Sequence, residues 1–203
     1  MRLYTYKNCK EFENNLHFFR FCVEVTEENV LSYTGKRNRG KFMHEFKNMD
    51  FMESAFNSGC FVTADDNPMV CSWGFVGVMW GKKIFIAPIR ECRHTYGLLE
   101  KTREFTVSVP EKGTFKKELG FCGSKSGRDY DKWAETGMEK QPAKSVGTCV
   151  VKGCQKYYEC KVVGIVPMGD MDVSLVPKWY SGKDQYSADD RHSFFFGEIV
   201  EEY

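Results

Sequence analysis

Met69-Val70-Cys71-Ser72-Trp73-Gly74-Phe75-Val76-Gly77-Val78-Met79-Trp80 alternates apolar residues with small ones, and its reading decides the fold class. Successive side chains of a strand point to opposite faces, so the pattern predicts a strand or a kinked strand pair. Gly74 and Gly77 allow a bulge or a close backbone approach. Lys82-Lys83 reads as a turn, and residues 84–89 are apolar enough for a central strand. Toward the N-terminus, residues 65–68 read as a turn and 60–64 as a strand. Residues 50–57 form a short amphipathic helix ended by Ser58-Gly59. Toward the C-terminus, residues 93–101 read as a helix and 105–109 as a strand stopped by Pro110. A short helix over 115–119 ends at Gly120, and a second over 129–136 turns Trp133 inward. Strands follow at 149–151, 157–166 and 194–200. Strands interrupted by short helices, without regular βαβ alternation, make the chain mainly β (α+β), an antiparallel barrel with peripheral short helices. Residues 1–49 form an extension packed on the barrel, with strand character at 18–25 and a loop at 38–41.

Lysine plus arginine, 29 residues, nearly cancels aspartate plus glutamate, 28. Net charge thus gives no argument for a nucleic-acid or membrane-surface partner, and any cationic site must be local. The expectation is a soluble, cytoplasmic protein: no apolar run is long enough to span a bilayer, and the N-terminus has no signal-peptide core. Nine cysteines are scattered without a CxxC pair or zinc spacing, which predicts free thiols, those in strands acting as small buried hydrophobes. There is no Ser-His-Asp order, no paired-carboxylate motif, no GxGxxG and no Walker loop.

Two loops carry charge and hydroxyls together. Arg90-Glu91-Cys92-Arg93-His94-Thr95-Tyr96 runs from a strand into a helix start, where free amides favour anions. Cys122-Gly123-Ser124-Lys125-Ser126-Gly127-Arg128 reads as a second glycine-containing loop before a helix. The plain alternative for each is a solvated surface turn. Two such loops in one small domain point to a shared anion, and Ser72-Trp73-Gly74 offers an indole and a polar edge to a flat aromatic ligand. Trp73 as a core residue is the competing reading.

These blocks, with Asn67-Pro68-Met69, Trp80-Gly81-Lys82, Glu104-Phe105-Thr106-Val107 and the closing His192-Ser193 and Phe196-Gly197-Glu198-Ile199, resemble the flavin reductase-like, FMN-binding split-barrel proteins of the flavoredoxin group. The resemblance covers residues 50–203 and leaves 1–49 outside. It implies a six-stranded split β-barrel that forms a homodimer with FMN near the subunit interface. It implies that Arg93, Thr95, Ser124, Lys125 and Ser126 bind phosphate or ribityl oxygens. Ser72 and Trp73, with the backbone around Val70 and Cys71, would line the isoalloxazine, and His192 or Phe196 would approach the ring. The family usually carries a hydroxyl where Val70 stands and a serine where Cys92 stands. Each lost donor weakens binding by roughly a kcal/mol.

The resemblance implies a flavin reductase or electron-transfer oxidoreductase in which FMN carries the redox chemistry. NAD(P)H, or a protein electron donor such as ferredoxin or rubredoxin, would supply electrons. The alternative is a non-catalytic split-barrel binder of flavin, heme or another ligand, and a third reading is an interaction module without a ligand. No side chain is assigned as catalytic.

Overall fold

The computed structural model describes residues 50–169 and 191–203. The readings at 1–49 lie outside the described residues.

α1 (Asp50–Ser58) buries Met52 and Ala55 and half-buries Phe56, a helical i, i+3, i+4 stripe. Gly59 stops it at φ +90, its N–H reaching the Ala55 carbonyl at 2.7 Å. β1 (Cys60–Ala64) then pairs antiparallel with β2 (Asn67–Cys71). Their two-residue turn, Asp65-Asp66, has positive φ at both positions (47 and 58), the mirror-image turn that matches strand twist. The turn is thus shorter than the four residues expected, and Asn67 and Pro68 already belong to β2.

The 69–80 stretch is indeed two strands: β2, and β3 (Phe75–Met79), joined by Ser72-Trp73-Gly74. A Cβ on Gly74 would lie 2.6 Å from the Ile86 carbonyl oxygen, so its close approach is to β4 (Lys82–Arg90). Lys82-Lys83 is already strand, and the turn is Trp80-Gly81, both at positive φ.

α2 (His94–Thr102), β5 (Glu104–Val109), α3 (Lys116–Ser124) and α4 (Lys132–Thr136) follow, then β6 (Lys140–Pro142), β7 (Cys149–Val151), β8 (Lys156–Pro167) and β9 (His192–Glu202). Gly120 does not end α3. It sits mid-helix with open space around it, and the helix runs on to a cap at Lys125, whose N–H reaches the Phe121 carbonyl.

The main sheet has the order β2-β1-β5-β8-β9-β4-β3, every neighbouring pair antiparallel. Its two edges, β2 and β3, are consecutive in the chain and unpaired with each other, so the barrel is split there. It has seven strands rather than six, with β6 and β7 forming a separate pair among the described residues. Register shifts in β8 at Glu159/Cys160 and Val162/Gly164 bend the long β8–β9 ribbon. Phe85, Phe105, Tyr158 and Phe195 fill the barrel, and a second apolar cluster of Phe61, Trp133, Cys149 and Val151 lies under α3, α4 and β7.

Beside β5 and β8, the loop before β7 is pinned by a buried carboxylate. Glu159 accepts from the Lys144 and Ser145 amides at 2.7 and 2.6 Å and from the Tyr203 hydroxyl at 3.0 Å.

Candidate functional site

One end of the barrel opens into a cleft of about 760 Å³, open solvent at its mouth included. It lies where β2 ends, β4 ends and β9 begins, so strand ends and short connections supply its walls. The Ser72-Trp73 bridge forms one side. Trp73 is half-buried, with its indole edge-to-face against His192 at 5.0 Å between ring centres. His192 is buried and sits opposite Arg90 in the β4–β9 register.

Opposite this wall, α2 begins after the turn 91–93. Arg93 occupies the cap position in extended conformation (φ −72, ψ 140), and its side chain makes no cap hydrogen bond. Thr95 is 1 % exposed, and its Oγ1 accepts from Asn67 Nδ2 at 2.9 Å. That contact leaves the Thr95 hydroxyl proton available to donate. Arg93 itself is exposed at the rim.

The third wall is the end of α3 and the loop after it. Lys125 is exposed, with its ammonium 5.3 Å from the centre of the Tyr130 ring. Gly127 packs so tightly on Asn67 that a Cβ would lie 1.9 Å from Asn67 Oδ1. Arg128 reaches across to the opposing turn, its Nη1 donating to the Cys92 carbonyl at 3.1 Å.

The cleft therefore collects Val70, Cys71, Ser72, Trp73, Arg93, Thr95, Lys125 and Ser126. The exception is Ser124, which is the last residue of α3, not part of a loop. Its hydroxyl donates back to the Gly120 carbonyl at 2.8 Å and does not line the cleft. Cys122 and Gly123 are likewise helical, so the loop itself starts at Lys125. His192 lines the cleft, while Phe196 lies farther along β9, opposite Ile86, and does not. Val70 turns its side chain toward Gly123 and Gly59 in apolar packing.

Lys132 is a cleft residue that the sequence reading passed over. It is 4 % exposed, and its Nζ donates to the Pro68 carbonyl at 2.8 Å and the Cys122 carbonyl at 3.2 Å. Burial, chiefly, lowers its pKa. Arg90, Arg93, Lys125, Arg128 and Lys132 all line the cleft, and among the described residues no aspartate or glutamate does. His94 stands among them. Burial first, then Arg128 and Lys132, hold its pKa below the usual 6.5, with Asp65 opposing. Burial pushes the Cys122 thiol up to about 11, so it stays protonated. Chemically, the arrangement offers cations, one buried hydroxyl and a ring-bearing wall: it can hold an anionic group attached to a flat ring.

A split antiparallel barrel with such a cleft at one end defines a class, the split-barrel flavin reductase-like domains. Residues 54–202 match the family model described as a flavin reductase like domain, and the chain belongs to that family. Solved structures share the fold. Flavoredoxin from Methanosarcina acetivorans aligns over 71% of this chain and 67% of its own, at 21% identity and TM-score 0.55. An FMN-binding protein from Thermus thermophilus with bound p-hydroxybenzaldehyde aligns over 86% and 81%, at 21% identity and TM-score 0.53. Nitrilotriacetate monooxygenase component B from Bacillus cereus aligns over 78% and 77%, at 13% identity and TM-score 0.56. At these identities the likeness is one of fold. An uncharacterized protein of Archaeoglobus fulgidus is 29% identical over 104 residues, and the match spans 58% of its length and 51% of this chain. No helix among the described residues is long and apolar enough to cross a membrane.

Proposed function

We propose that the cleft binds FMN and that the protein is a flavin-dependent oxidoreductase of the flavin reductase type. The observation that supports this reading most is the convergence of two cationic turns on one cleft whose lining, among the described residues, holds no carboxylate. Arg93, Lys125 and Ser126, with the Thr95 hydroxyl and the first amides of α2, would hold the phosphate and ribityl oxygens. The Ser72-Trp73 bridge and the backbone at Val70 and Cys71 would shelter the ring. Bound FMN would accept and release the electrons; the protein would orient it, hydrogen-bond its edge and limit water access. NAD(P)H is the proposed reductant, with a protein electron donor as the other source.

A homodimer belongs to the same proposal. Phe75 (55 % exposed) on β3 meets Phe194 on β9 edge-to-face at 6.2 Å, and Val166 on β8, opposite Phe194 in register, is 50 % exposed. An apolar outer sheet face of this kind suits a second copy of the chain. Sedimentation would read the dimer directly.

A non-catalytic binder is the second reading. It is favoured by Val70, whose side chain is spent on packing and offers no donor. The visible spectrum of the purified protein separates the two. A flavin band bleached by NADH or NADPH supports the reductase, and one bleached only by dithionite supports the carrier. No chromophore and no uptake of added FMN contradicts the reductase.

A further inference from the structure

Lys132 carries a buried charge that the described residues leave without a counter-ion. It is 4 % exposed, and among residues 129–136 it alone lines the cleft, so its side chain reaches there while the rest of α4 does not. The ammonium sits where the Pro68 carbonyl (2.8 Å) and the Cys122 carbonyl (3.2 Å) converge. Pro68 follows Asn67, whose pair with Ala64 closes the β1–β2 turn. Pairs alternate along an antiparallel ladder, so the Pro68 carbonyl points off the open edge of the sheet. The Thr95 hydroxyl meets the Asn67 amide and the Lys132 ammonium meets the Pro68 carbonyl, so two chain neighbours hold both groups. Thr95 and Lys132 are buried and form the floor of the cleft, while Arg93 and Lys125 are its exposed rim.

An ammonium has three N–H donors, and the two carbonyls take two of them. Among the described residues, Nζ has no third acceptor. Opposite charge is missing as well. The lining holds no carboxylate among the described residues, and the Cys122 thiol stays protonated, its pKa pushed up to about 11 by burial. Arg93 repels the ammonium, which in turn disfavours the charged form of His94. A buried charge is costly unless an opposite charge meets it, and here that charge has to come from a ligand.

We propose that Lys132 is the specificity-determining residue of the cleft: with the Thr95 hydroxyl, it selects a phosphomonoester dianion over a phosphodiester monoanion. A monoester phosphate carries about two charges at neutral pH and offers three oxygens to donors. A diester carries one charge and offers two. The third Lys132 N–H and the Thr95 proton each take one oxygen, and the extra charge of the monoester is the one the buried ammonium offsets. Among flavins this selects FMN, whose phosphate is terminal, over FAD, whose phosphates are bridged and singly charged. The choice between flavins rests on the function proposed above; the choice between esters rests on the floor alone.

The test takes the wild-type full-length chain and two ring-free probes, methyl phosphate and dimethyl phosphate, and follows the Lys132 Cε resonance by NMR at neutral pH. Methyl phosphate should move that resonance to saturation. Dimethyl phosphate should bind at least about tenfold more weakly, the worth of one charge-assisted hydrogen bond. Calorimetric titration should rank FMN above FAD by a similar factor. Lys132→Met should weaken FMN by about tenfold and FAD by less, which closes the gap. Equal affinity for the two esters, binding of neither, or methyl phosphate binding that leaves the Lys132 resonance in place would overturn the proposal, whether or not the variant folds. Monoester selection without FMN uptake would support the role of Lys132 and sink the flavin reading. FMN uptake with FAD bound equally well would do the reverse.

Discussion

Arg128 Nη1 donates to the carbonyl oxygen of Cys92 over 3.1 Å, and this bond joins the loop after α3 to the turn after β4. The two cationic segments are thereby held to one rim. Removing the guanidinium takes away both the tie and a cation of the cleft. Arg128→Ala should weaken FMN binding by about tenfold, the worth of one charge-assisted hydrogen bond. Arg128 is exposed, so thermal stability without FMN should be nearly unchanged. Fluorescence titration with FMN, alongside a melting curve, checks both halves.

Gly127 tests the packing beneath that rim. A methyl group there cannot coexist with Asn67 Oδ1 at 1.9 Å, so Gly127→Ala must displace the amide that donates to Thr95. The expected cost is about 1–3 kcal/mol of stability from overpacking. FMN affinity should fall too, because Thr95 loses the group that orients its hydroxyl. Unchanged melting and unchanged affinity would contradict the contact.

His94 gives the pH dependence. Its pKa is below 6.5 in the folded protein, so the folded state binds fewer protons there than the unfolded state. Charged His94 therefore costs stability at acid pH, and the cost disappears as pH rises through its folded pKa toward 6.5. An anion in the cleft favours the imidazolium and should raise that pKa. NMR titration of the His94 ring should move upward on adding FMN or inorganic phosphate. No movement would place the anion elsewhere.

Glu159 serves as a stability probe remote from the cleft. Glu159→Ala strands the Lys144 and Ser145 amides and the Tyr203 hydroxyl. Chemical denaturation should show a loss of about 1.5–3 kcal/mol, with FMN affinity largely retained in the folded fraction.

Much of the barrel was legible because its strands are dense in apolar residues: 60–64 and 149–151 are β1 and β7 residue for residue, and β5 starts one residue earlier than expected. β6 was missed, since Lys140-Gln141-Pro142 has no apolar signal and is a strand only because it pairs with β7. The strand order was not legible either, as pairing between β1 and β5 or β4 and β9 depends on contacts far apart in sequence. At the site, charge and glycine content picked out the two turns. Ser124 was misjudged because a serine at a helix end can bond its own backbone. Lys132 was missed because composition does not reveal that a lysine is buried on two carbonyls.

In the proposed function both turns grip one phosphate while the bridge strand shelters a ring. Titrating the protein with FMN and with riboflavin, which lacks the phosphate, tests it most directly. FMN should bind more tightly by at least about tenfold, the worth of charge-assisted contacts to the phosphate, and added salt should narrow the gap. Equal affinity for the two, or uptake of neither, would contradict the account.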